Sequence, residues 1–152
     1  MNKVIVYASK YGTTQECATK LSELMEDVNL LDVEKNKVDL SLYETVILGS
    51  SIYAGQIRPK MREFIEENLT ELSEKNLGIF VCGANEEEID NAVENNFGEL
   101  ASKAKSIGHF GYKYDFDKMK FFEKLIIKKI AKVKASEKNI YQEKIKKFSN
   151  HF

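Results

Sequence analysis

Lys3 to Ala8, KVIVYA, is an apolar run rich in β-branched residues that stops at a tight turn, Ser9-Lys10-Tyr11-Gly12-Thr13-Thr14. Helical periodicity begins at once: Cys17, Ala18, Leu21, Leu24 and Met25 fall on one face, and Glu16, Lys20, Glu23 and Glu26 on the other. A run of that kind reads as a strand buried on both faces, and parallel strands need a helical crossover to reach their neighbours. The unit therefore commits the chain to alternating strands and helices.

The rest of the sequence keeps that rhythm. Val28 to Val33 predicts a second strand and Thr45 to Gly49 a third, buried one. After a loop from Ser50 to Arg58, Pro59 suits a first helical position, with Met61, Phe64, Ile65 and Leu69 as the inward face of the next helix. Gly78 to Gly83 predicts a fourth strand. Asn85 and Glu88 are then placed as a capping pair ahead of Ile89, Val93, Phe97 and Leu100 at helical spacing. Ser106 to Tyr112 predicts a fifth strand, followed by a helix near Met119 to Val133 and a short one near Tyr141 to Phe148. With no internal repeat or linker, residues 1–152 are expected to form one domain, a parallel sheet with helices on both faces.

Ligands of such sheets bind at the carboxyl ends of the strands, where strand order reverses. Three loops thus matter: Ser9 to Thr14, Ser50 to Arg58, and Gly83 to Glu88. The first suits one phosphate. A helix N-terminus offers unpaired N–H groups and the positive end of the helix dipole, Ser9, Thr13 and Thr14 add hydroxyls, Gly12 lets the backbone close around an anion, and Lys10 adds a cation at the rim. Neither Gly-x-Gly-x-x-Gly nor a Gly-Lys-Ser/Thr ending is present, so the dinucleotide fingerprint and the P-loop are both absent. The alternative for the same residues is a turn that only caps the first helix.

Cys17 and Cys82 form neither a Cys-x-x-Cys motif nor a disulfide framework, and read as reduced thiols of a cytosolic protein. His109 and His151 have no metal-site spacing, no signal run opens the chain, and nothing points to nucleic acid. Charge is divided unevenly. Up to Tyr112 there are 11 basic and 19 acidic residues, and beyond it 12 basic and five acidic, as a contact surface would require. The Met119 to Val133 segment carries Met119, Phe122, Ile126, Ile130 and Val133 on one face among lysines. It fits a peripheral contact with an anionic membrane, a dock for an acidic redox partner, or a helix packed on its own core.

Together, the turn SKYGTT, the segment LSLYETVILGSSIYAG and the segment GIFVCGAN resemble the flavodoxin family, in order and over nearly the whole chain. Its turn pattern, T-x-T-G-x-T, is met by Ser9, Gly12 and Thr14, whereas Tyr11 stands where a small hydroxyl residue is usual. A narrower similarity, to menaquinone-dependent protoporphyrinogen oxidases, rests on Lys10, on Gly49-Ser50-Ser51-Ile52, and on the aromatic and basic stretch from Tyr112 to Lys134. Tyr53-Ala54 replaces the Arg-Tyr pair of those enzymes.

The resemblance implies a three-layer αβα fold with five parallel strands in the order 2-1-3-4-5, an extra helix between the fifth strand and the last helix, and FMN as cofactor. The flavin ring would lie between Ser51, Ile52, Tyr53, Ala54 and Gly55 on one side and Gly83, Ala84, Asn85 and Glu86 on the other. Tyr53 is the leading candidate to stack on it, with Tyr11 second; Tyr53 also reads as an ordinary surface residue. Ala54 and Gly55 would let a peptide rotate and offer a carbonyl to N5–H of reduced flavin. Carboxylates at Glu86, Glu87 and Glu88 would disfavour negative charge on the ring, or simply suit a helix start. No catalytic acid or base is assigned. The expected function is electron transfer through bound FMN to a redox partner protein or a quinone. A quinone-dependent dehydrogenase acting on a porphyrinogen and a flavin-free binding module are the alternatives.

Overall fold

The computed structural model describes residues 2–114, 125 and 137–152. Its sheet is built from β1 (Lys3–Ala8), β2 (Val28–Asp32), β3 (Thr45–Tyr53), β5 (Asn76–Cys82) and β6 (Ser106–His109), all parallel, in the order β2-β1-β3-β5-β6. A two-residue strand, β4 (Gln56–Ile57), folds back antiparallel on the end of β3. With that strand set aside, the order is the expected 2-1-3-4-5.

Pleating divides the core. Val4, Val6, Val46, Leu48, Ile79 and Val81 meet helices α2 (Pro59–Glu67), α3 (Leu69–Ser73), α4 (Glu86–Phe97) and α5 (Glu99–Lys103) on one face. Ile5, Tyr7, Ile47 and Phe80 point to the opposite face, against α1 (Thr13–Glu23) and the C-terminal helix α6 (Gln142–Ser149). Alternation with a period of two feeds both layers from the same strands, which is why the strands read as unbroken apolar runs. Strand order reverses between β1 and β3, so the loops that follow them are neighbours.

Several elements depart from the sequence pattern. Leu24 caps α1 and is exposed, because the helix ends at Glu23. Asn68 breaks the second helical stretch into α2 and α3, and Leu69 is turned outward, leaving Met61, Phe64 and Ile65 as the buried face. The expected strand from Ser106 to Tyr112 is two strands. It stops at His109, Phe110 turns into the core, and β7 (Gly111–Tyr114) pairs antiparallel with β8 (Glu137–Ile140) in a separate small sheet. The expected helix from Met119 to Val133 lies outside the described residues, Leu125 excepted. Among the described residues no helix is long and apolar enough to cross a membrane.

Candidate functional site

Gly12 is the N-cap of α1, with φ +92, a conformation that costs other residues a clash between Cβ and the backbone. Its N–H donates to Ser9 Oγ at 3.0 Å, so Ser9 closes the turn from within. Glu16 N–H donates to Gly12 O at 2.9 Å as the first intrahelical bond. The first-turn N–H groups of the helix have no intrahelical acceptor and face the end of the sheet. Thr13 donates weakly to the Lys113 carbonyl at 3.4 Å. Thr14 does neither: its hydroxyl is fully buried and makes no hydrogen bond of good geometry, though it is close enough to the Cys82 thiol to lower its pKa.

Thr14 is not alone in this. Tyr11 Oη and Ser51 Oγ are also buried and unpartnered, and all three residues line one small cavity of about 40 Å³. Ser9, Lys10, Thr13, Ile52, Tyr53, Cys82, Gly83, Tyr112 and Lys113 complete its wall. An unsatisfied buried hydroxyl costs about 1–3 kcal/mol, so three around one space are hard to account for unless something polar completes them.

A larger cleft, about 710 Å³, runs along the edge strand β6 between α4 and α6, lined by Asp90 and Glu94 on one wall and Lys144 and Lys147 on the other. No orphaned polar atom faces it. The chemistry converges on the smaller space.

That space is far below the ~300 Å³ and more that a drug-sized ligand occupies. Lys10 closes the mouth: its ammonium lies 4.3 Å from the centroid of the Tyr53 ring and 5.4 Å from that of Tyr11. A planar ring against Tyr53 requires Lys10 to move off that face.

The second loop is a tight hairpin turn. Tyr53 pairs with Gln56, and between them Ala54 and Gly55 both have positive φ. Ser50, fully buried, anchors its base by accepting from Arg58 N–H at 3.0 Å. At the third loop, Asn85 caps α4 by accepting from Glu87 N–H, which puts Glu86, Glu87 and Glu88 in the first turn, where the helix dipole favours acids. Glu86 also accepts from Tyr141 Oη at 3.2 Å. Burial, with the Glu86 charge beside it, pushes the Tyr141 phenol up to about 12. Gly83 is held from two sides, its N–H donating to Gly111 O at 2.9 Å and its carbonyl 2.5 Å from His109 Nε2.

Burial holds His109 below its ordinary value of 6.5, against the opposing pull of the Gly83 carbonyl. A folded-state value below the unfolded one means that stability is intact above about 6.5 and falls as pH drops through that value, because the unfolded chain takes the proton more readily. Chemical denaturation between pH 7 and 5 should show this fall, and His109→Gln should flatten it. Equal slopes for the two proteins would place the acid sensitivity in other groups.

Cys82 lines the cavity floor, but its thiol is held well above the ordinary range by the Cys17 side chain and by burial, with the Thr14 hydroxyl only partly offsetting them. It is a packed thiol and no nucleophile at neutral pH. Among the described residues no group of His, Cys, Asp and Glu could hold a metal ion.

The structure therefore brings Ser9, Lys10, Tyr11, Thr13, Thr14, Ser51, Ile52, Tyr53 and Gly83 around one space, with Gly12, Ala54 and Gly55 shaping the turns beside it. Ala84, Asn85 and Glu86 lie off the cavity, at the start of α4. Tyr112 and Lys113 were not foreseen, because they belong to β7, and Gly111 inside the strand-like run was the available signal of a break. The chain matches the model of the flavodoxin domain family over residues 4–140. No curated protein matches it by sequence.

Among solved structures, a short-chain flavodoxin associated with a non-canonical PDU bacterial microcompartment shares the fold with a TM-score of 0.63 and 16% identity, over 99% of this chain and 96% of that one. A Lactobacillus acidophilus flavoprotein in complex with FMN is similar at TM-score 0.54 and 17% identity, over 73% and 92%. A flavodiiron core from Synechocystis gives 0.55 and 20%, over 73% of this chain but only 30% of its own length. At these identities the likeness is one of fold.

Proposed function

Because the chain belongs to the flavodoxin domain family, we propose that it binds FMN at the β1 turn and passes electrons through it to a redox partner protein. The observation that carries this reading is the gathering of buried hydroxyls on Thr14, Ser51 and Tyr11 at one small cavity beside the N-terminus of α1. A dianion would be met there by first-turn N–H groups and by the positive end of the α1 dipole, and the buried hydroxyls of Tyr11, Thr14 and Ser51 would join them only by turning toward it. Tyr11 is the unusual member. Its longer side chain brings a phenol where a short hydroxyl would be expected, and a buried Oη without a partner supports its serving as the donor in that slot.

Bound FMN supplies one- and two-electron transfer. The chain's own residues would bind and screen it: the β1 turn would hold the phosphate and Tyr53 would cover one side of the ring, with Lys10, which lies over the Tyr53 ring, at the rim. The third loop, pinned through Gly83, borders the other side. Electron transfer to a partner is the role that fits a site with no assigned acid, base or nucleophile. A porphyrinogen or quinone specificity gains no support: Tyr53-Ala54 stands where those oxidases carry an Arg-Tyr pair, and most of the aromatic and basic stretch after Tyr114 lies outside the described residues.

Thr14→Val tests the reading by the sign of two effects. Valine keeps the shape and removes the hydroxyl. If that hydroxyl serves a ligand, FMN binding weakens about tenfold, the size of one charge-assisted hydrogen bond. The flavin-free protein meanwhile holds or gains stability, because an unsatisfied buried group is gone. A hydroxyl with a purely structural role predicts the reverse, a loss of about 1 kcal/mol in stability. FMN titration and thermal melts of the two proteins decide it, and a colourless wild type that takes up no FMN would leave only the flavin-free binding module.

A further inference from the structure

The turn between β3 and β4 is left-handed twice over, with Ala54 at φ +51 and Gly55 at φ +76, and Ile52 opposite Ile57 across the hairpin. Two-residue hairpin loops of this mirror-image type suit the twist of the strands, and they favour Asn-Gly or Gly-Gly because both central residues need positive φ. Alanine in the first of those positions works against the turn. The hairpin cannot compensate by itself, since β4 has only two residues.

The missing support comes from α4. Asn96 reaches the turn with its carboxamide: Nδ2 donates to Gly55 O at 2.9 Å and to Ala92 O of its own helix at 2.7 Å, while Oδ1 accepts from Ile57 N–H in the hairpin and from Arg62 Nη2 on α2, both at 3.2 Å. Arg62 donates in turn to Gln56 Oε1 at 2.5 Å, closing a ring of contacts around the turn. Both peptide groups that follow Gly55 and precede Ile57 are fixed by one side chain of another element.

We propose that Asn96 is the positioning residue of the flavin-ring loop: it locks Tyr53 to Gln56 into the left-handed turn and so sets where the Tyr53 ring meets the flavin. The inference rests on the FMN reading for its consequence, but the lock itself is a property of the flavin-free chain. Asparagine is suited to it because the turn presents a carbonyl and an N–H together, and only a carboxamide answers both. Leucine would answer neither and aspartate only the N–H.

Four variants test the lock: Asn96→Ala, Asn96→Asp, Ala54→Asn, and Asn96→Ala combined with Ala54→Asn. In flavin-free protein, the three-bond coupling and chemical shifts of residue 54 by NMR report its φ. Wild type should show the left-handed value, Asn96→Ala an average with negative φ, and the double variant the left-handed value again, because asparagine adopts that conformation readily. With FMN, Asn96→Ala should weaken binding about tenfold and shift the midpoint potential, and Ala54→Asn should bring both back to within about twofold of wild type. Asn96→Asp keeps the acceptor for Ile57 and Arg62 and loses only the two donations, so it serves should the alanine variant fail to fold, with the same directions expected.

A residue 54 that stays left-handed without Asn96 overturns the proposal, as does a loss of FMN binding that Ala54→Asn leaves uncorrected, since that loss would reflect damage to α4. The NMR arm needs no flavin. A wild type that binds no FMN would therefore sink the functional reading while the lock is still decided by the turn itself.

Discussion

Gly111→Ala is expected to cost about 3 kcal/mol or more and to abolish FMN uptake even where the main sheet survives. Gly111 has φ +118, and a Cβ there would lie 2.1 Å from the carbonyl oxygen of Asn139, on the neighbouring strand β8. Strain and overlap act together, and the atom struck is backbone, so no rotamer change relieves it. Gly98 provides the scale. It too has positive φ, +53, with ψ -126, but a Cβ there meets nothing within 4 Å, so Gly98→Ala should show backbone strain alone, about 1–3 kcal/mol.

The functional consequence follows from what Gly111 holds. Its carbonyl accepts from Gly83 N–H, and the two residues after it, Tyr112 and Lys113, line the cavity. Separating β7 from β8 therefore opens the site from the side opposite Tyr53. Thermal melts should fall by roughly 10 °C for Gly111→Ala, given 2–4 °C per kcal/mol at this chain length. An alanine variant that melts like wild type, or that melts low yet binds FMN normally, would refute the coupling between hairpin and site.

The contrast between those two glycines also marks how far the sequence could be read. Apolar runs and helical spacing disclosed the parallel strands, because strands buried on both faces leave long β-branched stretches, while their order came from the resemblance to the flavodoxin family. The β1 turn was legible as a turn leading into a helix, because Gly12 sits between hydroxyl residues directly after a buried strand, and the structure makes that glycine the N-cap of α1. What stayed hidden depends on partners distant in sequence. Ser106 to Tyr112 reads as one strand, and only burial of Phe110 and the bond from Gly83 to Gly111 divide it, which is why Tyr112 and Lys113 were missed as cavity residues. Asn96 gave no signal at all. One asparagine on an exposed helical turn looks like solvent-facing decoration, and its role exists only because a hairpin 41 residues earlier needs a carboxamide.

Gly49→Ala is the second change expected to be severe, at about 3 kcal/mol, and its cause lies entirely in packing. Gly49 on β3 sits opposite Phe80 on β5, and a Cβ would lie 2.1 Å from Cζ of that ring. Phe80 is fully buried and has no free direction to move: it stacks on Phe110 at 4.6 Å, and Phe110 meets Phe148 edge-on at 5.2 Å. The ring can yield only by pushing Phe110, the residue at which the edge strand ends and the hairpin begins. Shortening the obstacle should relieve the strain. Phe80→Leu alone loses ring contacts, about 1–2 kcal/mol, yet Gly49→Ala combined with Phe80→Leu should be more stable than Gly49→Ala alone, because the new methyl then fills part of the volume the ring vacates. Denaturation of the four proteins in a double-mutant cycle measures this, with a favourable coupling of about 1–3 kcal/mol expected. Simple additivity would mean that Gly49 is required for a reason other than the Phe80 ring.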